Sequence, residues 1–281
     1  MDIYTGISII ASVIAVIVSI VSHKTNKAIN NQIQLQNNYF ELCRKMQNLI
    51  NFGDENNLTD FKYDIENYTY YDKDSVESSR EFNILQKRFD EQKKQLKHAY
   101  VEMMETFDFL HIETFIPQLS KANLFDKWLN DNINIYFLKL NQYYDDLHDI
   151  FVLVRSAQMG MSNPNEKQIV DDFFNNIIDI IRISQALQLL KRRMVGRFKM
   201  LSVREINAFN DNEVLISNIK KEIYSFITVS GIDDAITGKN YSKINNLCPD
   251  FGKQYDEFIN EEKNDYIIFL SIIRSKANKR K

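Results

Sequence analysis

Between Ile3 and Ser22 the stretch MDIYTGISIIASVIAVIVSIVSHKTNK carries no charged residue, while the rest of the chain mixes apolar positions with Asn, Lys, Asp and Glu. A helix needs about 20 apolar residues to span a hydrocarbon core of ~30 Å, so the run over residues 3–22 predicts one transmembrane helix. Ser8, Ser12 and Ser19 can bond back to their own helix, and Gly6, Ala11 and Ala15 leave room for a second helix beside it. A cleaved signal would open on basic residues and carry a shorter apolar core, whereas Asp2 is acidic and the run is full length. Lys24 and Lys27 follow at once. The positive-inside rule then places the start outside and the bulk of the chain in the cytoplasm, at a cell inner membrane.

Beyond the anchor the apolar positions repeat at alternating steps of four and three, the period of a helix packed along one seam. The first seam is Ile29, Ile33, Gln36, Phe40, Cys43, Gln47 and Ile50, which meets a copy of itself or a later helix. A second runs Phe82, Leu85, Phe89, Gln92, Leu96, Ala99, Met103 and Leu110, and should stop before Pro117. The third starts near Ser120 and passes through Trp128, Ile133, Tyr136, Leu140, Tyr144, Leu147 and Phe151, with Asn130-Asp131-Asn132 as a point of interruption.

The fourth helix has the clearest start: Asn163 as cap, Pro164 in the first turn and Glu166 three residues after the cap, a capping box. Its buried face runs Ile169, Phe173, Ile177, Ile180, Leu187, Leu190, Met194 and Phe198. A weaker helix holds Val214, Ile219, Ile223, Phe226 and Ile227, Gly231 and Gly238 mark turns, and a last helix follows Pro249. Its YIIFLSII run, Tyr266 to Ile273, is too short to span a bilayer and suits docking into the core.

Only seven Gly and three Pro occur in 281 residues, too few turn-formers for a many-stranded sheet protein. The expected fold class is therefore all-α, one N-terminal transmembrane helix followed by a cytoplasmic bundle of long helices. The organisation reads as an anchor over 1–24, a juxtamembrane seam helix over 25–50, an acidic aromatic-rich loop or subdomain over 51–79 and a helical bundle domain over 80–281. Periodicity is lost between Phe52 and Ser79, but Phe61, Tyr63, Tyr68 and their neighbours argue for folding onto the bundle. Cys43 and Cys248 build no disulfide framework and suit a reducing compartment.

No P-loop, G-x-S-x-G, H-E-x-x-H or C-x-x-C motif is present, and Asp250-Phe251-Gly252 stands without the other kinase signatures. The chain is thus read as a binding protein rather than an enzyme, with no cofactor. Asp108 with His111, and Asp145 with His148 and Asp149, place carboxylates and an imidazole within one helical turn, the spacing of metal ligands on bundles. The plainer reading is surface Asp-His pairs. A hairpin turning near Pro117 would hold His111 and His148 ~30 Å apart.

The strongest local asymmetry is KRRMVGRFKMLSVR: Lys191, Arg192, Arg193, Arg197, Lys199 and Arg204, with no acid among them in a chain of net charge -3. Guanidinium forks match phosphates, so this face suits RNA, DNA, a nucleotide or anionic lipid head groups. Two other readings stand beside it: cations closing the C-terminal end of the fourth helix, and docking of the acidic segment between Asp54 and Glu77. The tail, Arg274, Lys276, Lys279, Arg280 and Lys281, is a second basic patch that could touch an anionic leaflet.

The anchor stretch MDIYTGISIIASVIAVIVSIVSHKTNK and the helical seams behind it resemble the layout of bacterial membrane-anchored phage abortive-infection proteins. The resemblance is architectural and transfers no functional residue. It implies a cytoplasmic domain that binds a phage-related component, such as nucleic acid, at the inner membrane. The competing expectation is a scaffold acting through the 29–50 seam, by self-association or with a protein partner.

Overall fold

The computed structural model describes residues 3–69, 76–114, 124–201, 213–238 and 253–279, and for residues 3–13 the backbone alone. Among the described residues the protein is all helical, a bundle without strands. In chain order the elements are α1 (Ile3–Asn51), α2 (Glu55–Thr59), α3 (Phe61–Thr69), α4 (Val76–Thr114), α5 (Leu124–Gln158), α6 (Glu166–Lys199), α7 (Glu213–Ser230), α8 (Ile232–Ile236) and α9 (Lys253–Lys279).

Side-chain bridges fix the direction of each long helix. Lys45 meets Glu102 at 2.8 Å, Lys93 meets Asp145 at 2.6 Å, and Lys139 meets Asp179 at 2.6 Å. Lys263 lies 3.5 Å from Asp171 and Arg274 pairs with Glu166, so the same ordering holds between α6 and α9. Moving forward along one helix moves backward along its partner: Lys93 meets Asp145 but Tyr100 bonds Asn134, and Lys139 meets Asp179 but Tyr143 stacks on Phe173. On α1, Gln47 bonds Lys191 whereas Gly53 lies against Ile180. Hence α1, α5 and α9 run one way while α4 and α6 run the other. Short links of few residues favour such antiparallel neighbours.

The seams become the core as their spacing demands. Leu85, Phe89, Leu96 and Met103 of α4, Ile133, Tyr136, Leu140, Leu147 and Phe151 of α5, and Phe173, Ile177, Ile180, Leu187, Leu190 and Met194 of α6 are all buried. At α6 the expected capping box forms only in part. Asn163 Oδ1 accepts the backbone N–H of Asn165 at 2.9 Å, but the Glu166 carboxylate turns to the Arg274 guanidinium of α9. The helix start is thereby tied to a distant helix instead of to its own cap.

α5 is continuous through Asn130-Asp131-Asn132, where an interruption was expected. Asn132 is buried and its amide donates to Trp128 O at 2.7 Å, so the polar side chain is satisfied inside the helix. At the far end Gly160, with φ 73, lets the chain leave α5 in a left-handed turn. The N–H of Met161 reaches Ser156 O and that of Gly160 reaches Ala157 O, each at 3.0 Å.

The aperiodic segment after α1 is not a loop throughout: it contains α2 and α3, which insert Leu58, Phe61, Ile65 and Tyr68 into the core. Phe61 meets Phe173 edge-on with centroids 5.0 Å apart. α1 ends because the backbone must pass between two helices at Gly53. A Cβ there would collide with Tyr136 Oη and stand 2.7 Å from Ile180 Cγ2.

α1 divides into two unlike halves. Leu42, Cys43, Met46, Leu49 and Ile50 are buried against α4 and α6, whereas every described side chain from Ile14 to Phe40 is exposed. Of the expected 29–50 seam, only the second half packs inside the chain. Ile29, Ile33 and Phe40 are 42%, 48% and 41% exposed. Among the described residues no helix is long and apolar enough to cross a membrane. The side chains of Ile3 to Val13, the first half of the expected anchor, lie outside them.

The tail is also relocated. Since α9 runs with α1, Arg274, Lys276 and Lys279 stand by the start of α6, at the end of the bundle away from the α1 arm. Arg280 and Lys281 lie outside the described residues. The YIIFLSII run docks as expected through Tyr266 and Leu270, but leaves Ile268 and Ile272 exposed.

Candidate polyanion-binding face

The basic cluster occupies the last turns of α6. Because α6 runs against α1, this end points back along the exposed arm: Lys191 Nζ donates to Gln47 of α1, and the helix continues past it to Lys199. Its charges do not form one open stripe. Arg193 lies 3.1 Å and Arg197 2.8 Å from the two oxygens of Glu222 on α7, and the Arg193 guanidinium stacks over Phe226 at 5.2 Å. One carboxylate thus fixes two guanidiniums.

Arg192 and Lys199 remain exposed on α6, seven residues apart and therefore on one face of the helix, and Lys221 is exposed on α7. Arg204 and the side chain of Phe198 lie outside the described residues. Of the acidic segment between Asp54 and Glu77, Asp64 pairs with Arg88, while in the cluster Lys191 meets Gln47 and Arg193 and Arg197 meet Glu222. Asp72 and Asp74 and the side chains of Glu55, Glu66 and Glu77 lie outside the described residues. Sequence reading missed Glu222 and Lys221 and took Phe226 only as an apolar position of a weak helix, because the α7 pattern is weak and the pairing spans a long stretch of chain.

The electrostatics at this end follow from burial. Cys43, packed below Lys191, has its thiol pushed up to about 11 by desolvation, with Lys191 pulling weakly the other way. The thiol therefore stays protonated and acts as an apolar packing group. His23 stands exposed on the arm about 30 Å back along α1 at 1.5 Å per residue, too far to serve that thiol as a base.

The metal-like carboxylates are placed differently from a ligand set. Asp145 binds Lys93 at 2.6 Å, the His148 ring packs 6.3 Å from that of Phe82, and Asp149 is exposed. Among the described residues no three His, Cys, Asp or Glu side chains converge as a metal site. The side chains of Asp108 and His111, and all of Asp250-Phe251-Gly252, lie outside the described residues.

Compared with known proteins, the chain matches no family model, no curated protein and no solved structure.

Proposed function

We propose that the protein is a membrane-tethered helical binding module that meets a soluble polyanion, such as RNA, with the basic end of α6. The observation that carries the tether is the exposed apolar half of α1. Ile14, Val16, Ile17, Val18, Ile20 and Val21 are each more than half exposed. Water is a poor solvent for such a surface and lipid a good one. Lys24 and Lys27 flank the apolar run on the bundle side, which favours a cytoplasmic bundle and a start outside, at an inner membrane.

The geometry also favours RNA over head groups as the polyanion. An upright α1 separates Lys199 from the end of the apolar run by about 25 Å, counted at 1.5 Å per residue along antiparallel helices. That distance is several Debye lengths of ~8 Å at physiological salt. Arg192, Lys199 and Lys221 supply the open charge, with Arg193 and Arg197 held ready behind Glu222. A phage-defence role, implied by the layout resemblance, is the biological setting of this proposal. No catalytic step is part of it.

The test is fluorescence anisotropy of single-stranded RNA with the detergent-solubilised full chain across a salt series. Arg192→Glu with Lys199→Glu should weaken binding and flatten the salt slope by roughly 1 to 2 charges. Glu222→Gln should strengthen it, since it removes the carboxylate charge that offsets Arg193 and Arg197. Binding that ignores all three substitutions would overturn the RNA reading.

A second reading has its own observation. Ile29, Ile33 and Phe40 stand exposed on the α1 arm, which favours a scaffold whose arms pair with each other or with a protein partner. In that case Ile33→Asp with Phe40→Asp changes the oligomeric state, whereas the Arg192 and Lys199 substitutions do not.

A further inference from the structure

Between α2, α3, α4 and α5 lies a cavity of about 210 Å³. Its charged lining consists of Asp60, Asp64 and Arg88, and its apolar walls include Phe61, Phe89 and Tyr144. The volume is below that of a drug-sized pocket and suits a small molecule.

The charges in it are unevenly spent. Arg88 Nη1 donates to Asp64 Oδ1 at 2.7 Å. Asp64 is only 7% exposed, yet its Oδ2 is buried and has no hydrogen-bond partner. A buried carboxylate oxygen left so is costly, and such groups call for an occupant. Arg88 neutralises one of the two carboxylates, so the cavity as a whole favours a positive charge. An anion would face Asp60 and Asp64 together. An entering cation would reach Oδ2 by a turn of the carboxylate about its soft terminal torsion, which trades part of the Arg88 contact for the cation. Aromatic faces beside the carboxylates would add cation–π attraction.

We propose that this cavity binds a small organic cation, a primary ammonium or guanidinium group on a short apolar body. The cationic head takes the free oxygen of Asp64 and the apolar body lies against Phe61, Phe89 and Tyr144. The proposal stands apart from the basic end of α6 and does not depend on RNA binding. Burial also raises the Asp64 carboxyl above the ordinary Asp range, against the pull of Arg88, as expected of a carboxylate whose counter-charge is incomplete.

The test is calorimetric titration of the detergent-solubilised full chain with 2-phenylethylammonium, beside the uncharged 2-phenylethanol and the anionic phenylacetate. The ammonium should bind saturably, the alcohol about tenfold or more weakly, and phenylacetate not at all. Asp64→Asn should weaken ammonium binding by about tenfold or more. Gln95→Trp, which fills the cavity from an exposed position, should do the same even if the Asp64 variant folds poorly. Equal binding of alcohol and ammonium, binding unchanged in Gln95→Trp, or no saturable heat with the ammonium would each overturn the proposal, the last leaving a cavity that holds water only.

Discussion

Two buried hydroxyls show how single residues set this bundle. Tyr136 is fully buried and donates to Ile50 O at 2.9 Å, and Tyr143 donates to Leu58 O at 3.0 Å. Both donate to carbonyls in the last turns of α1 and α2, where a helix terminus lacks its own donors; Ile50 O also accepts the Gly53 N–H at 3.0 Å. Tyr136→Phe should therefore cost about 1 kcal/mol in urea unfolding. Gly53→Ala should cost more, about 1 to 3 kcal/mol, through collision with Tyr136 Oη and Ile180. Removing the hydroxyl relieves part of that collision, so the double variant should be more stable than the sum of the single losses. Strict additivity would show that Gly53 does not meet Tyr136.

Asp146 supplies a pH test. Burial raises its carboxyl above the ordinary value, outweighing the opposing hydrogen bonds from Gln142 and Asn176, while Asp149 and Asp145 push the same way. A folded carboxyl raised above its unfolded value binds more protons folded than unfolded. Stability from this group is present at low pH and falls as pH rises from the ordinary Asp value of about 3.9 through the raised one. Asp146→Asn should flatten that decline in unfolding curves taken between acid and neutral pH. An unchanged slope would remove Asp146 as its source.

Among the elements, α4, α5 and α6 were legible because their apolar spacing is long and regular and few helix breakers intervene. α2 and α3 were not. They are 5 and 9 residues long, shorter than a helix holds in water unaided, and their conformation is set by Leu58, Phe61, Ile65 and Tyr68 packing on other helices. The seam through α1 was legible as a period, but a period does not say where packing against the bundle begins. It begins at Leu42. The basic cluster was equally visible, whereas Glu222, which decides how much of its charge is open, is joined to it only by the fold. The cavity beside Asp64 left no local signal, since its walls come from α2 to α5 together.

Element ends carry their own prediction. Asn163→Ala removes the side-chain cap of α6 and should cost about 1 kcal/mol. Glu166→Gln keeps the cap but weakens the tie to Arg274, so hydrogen exchange should rise in the last turns of α9 and hardly change in α6. A uniform rise in both helices would mean that the tie holds the whole bundle.

For the whole molecule, the bundle has one continuous core from Leu42 to Leu270, built from both short and long helices. The exposed arm adds nothing to that core. The part from Asn30 onward should accordingly fold alone, with the α-helical signal and unfolding midpoint of the bundle retained. At this scale the account joins three features: an apolar arm that suits lipid, a core that begins well beyond it, and a basic end of α6 that faces back along the arm.

The tether is the central claim, and vesicle flotation tests it most directly. Full chain and the fragment from Asn30 onward are mixed with bilayer vesicles, washed in alkaline carbonate and floated. The account predicts that the full chain rises with the vesicles and resists the wash, while the fragment stays at the bottom. A full chain that stays at the bottom, or a fragment that floats as well as the full chain, would contradict it.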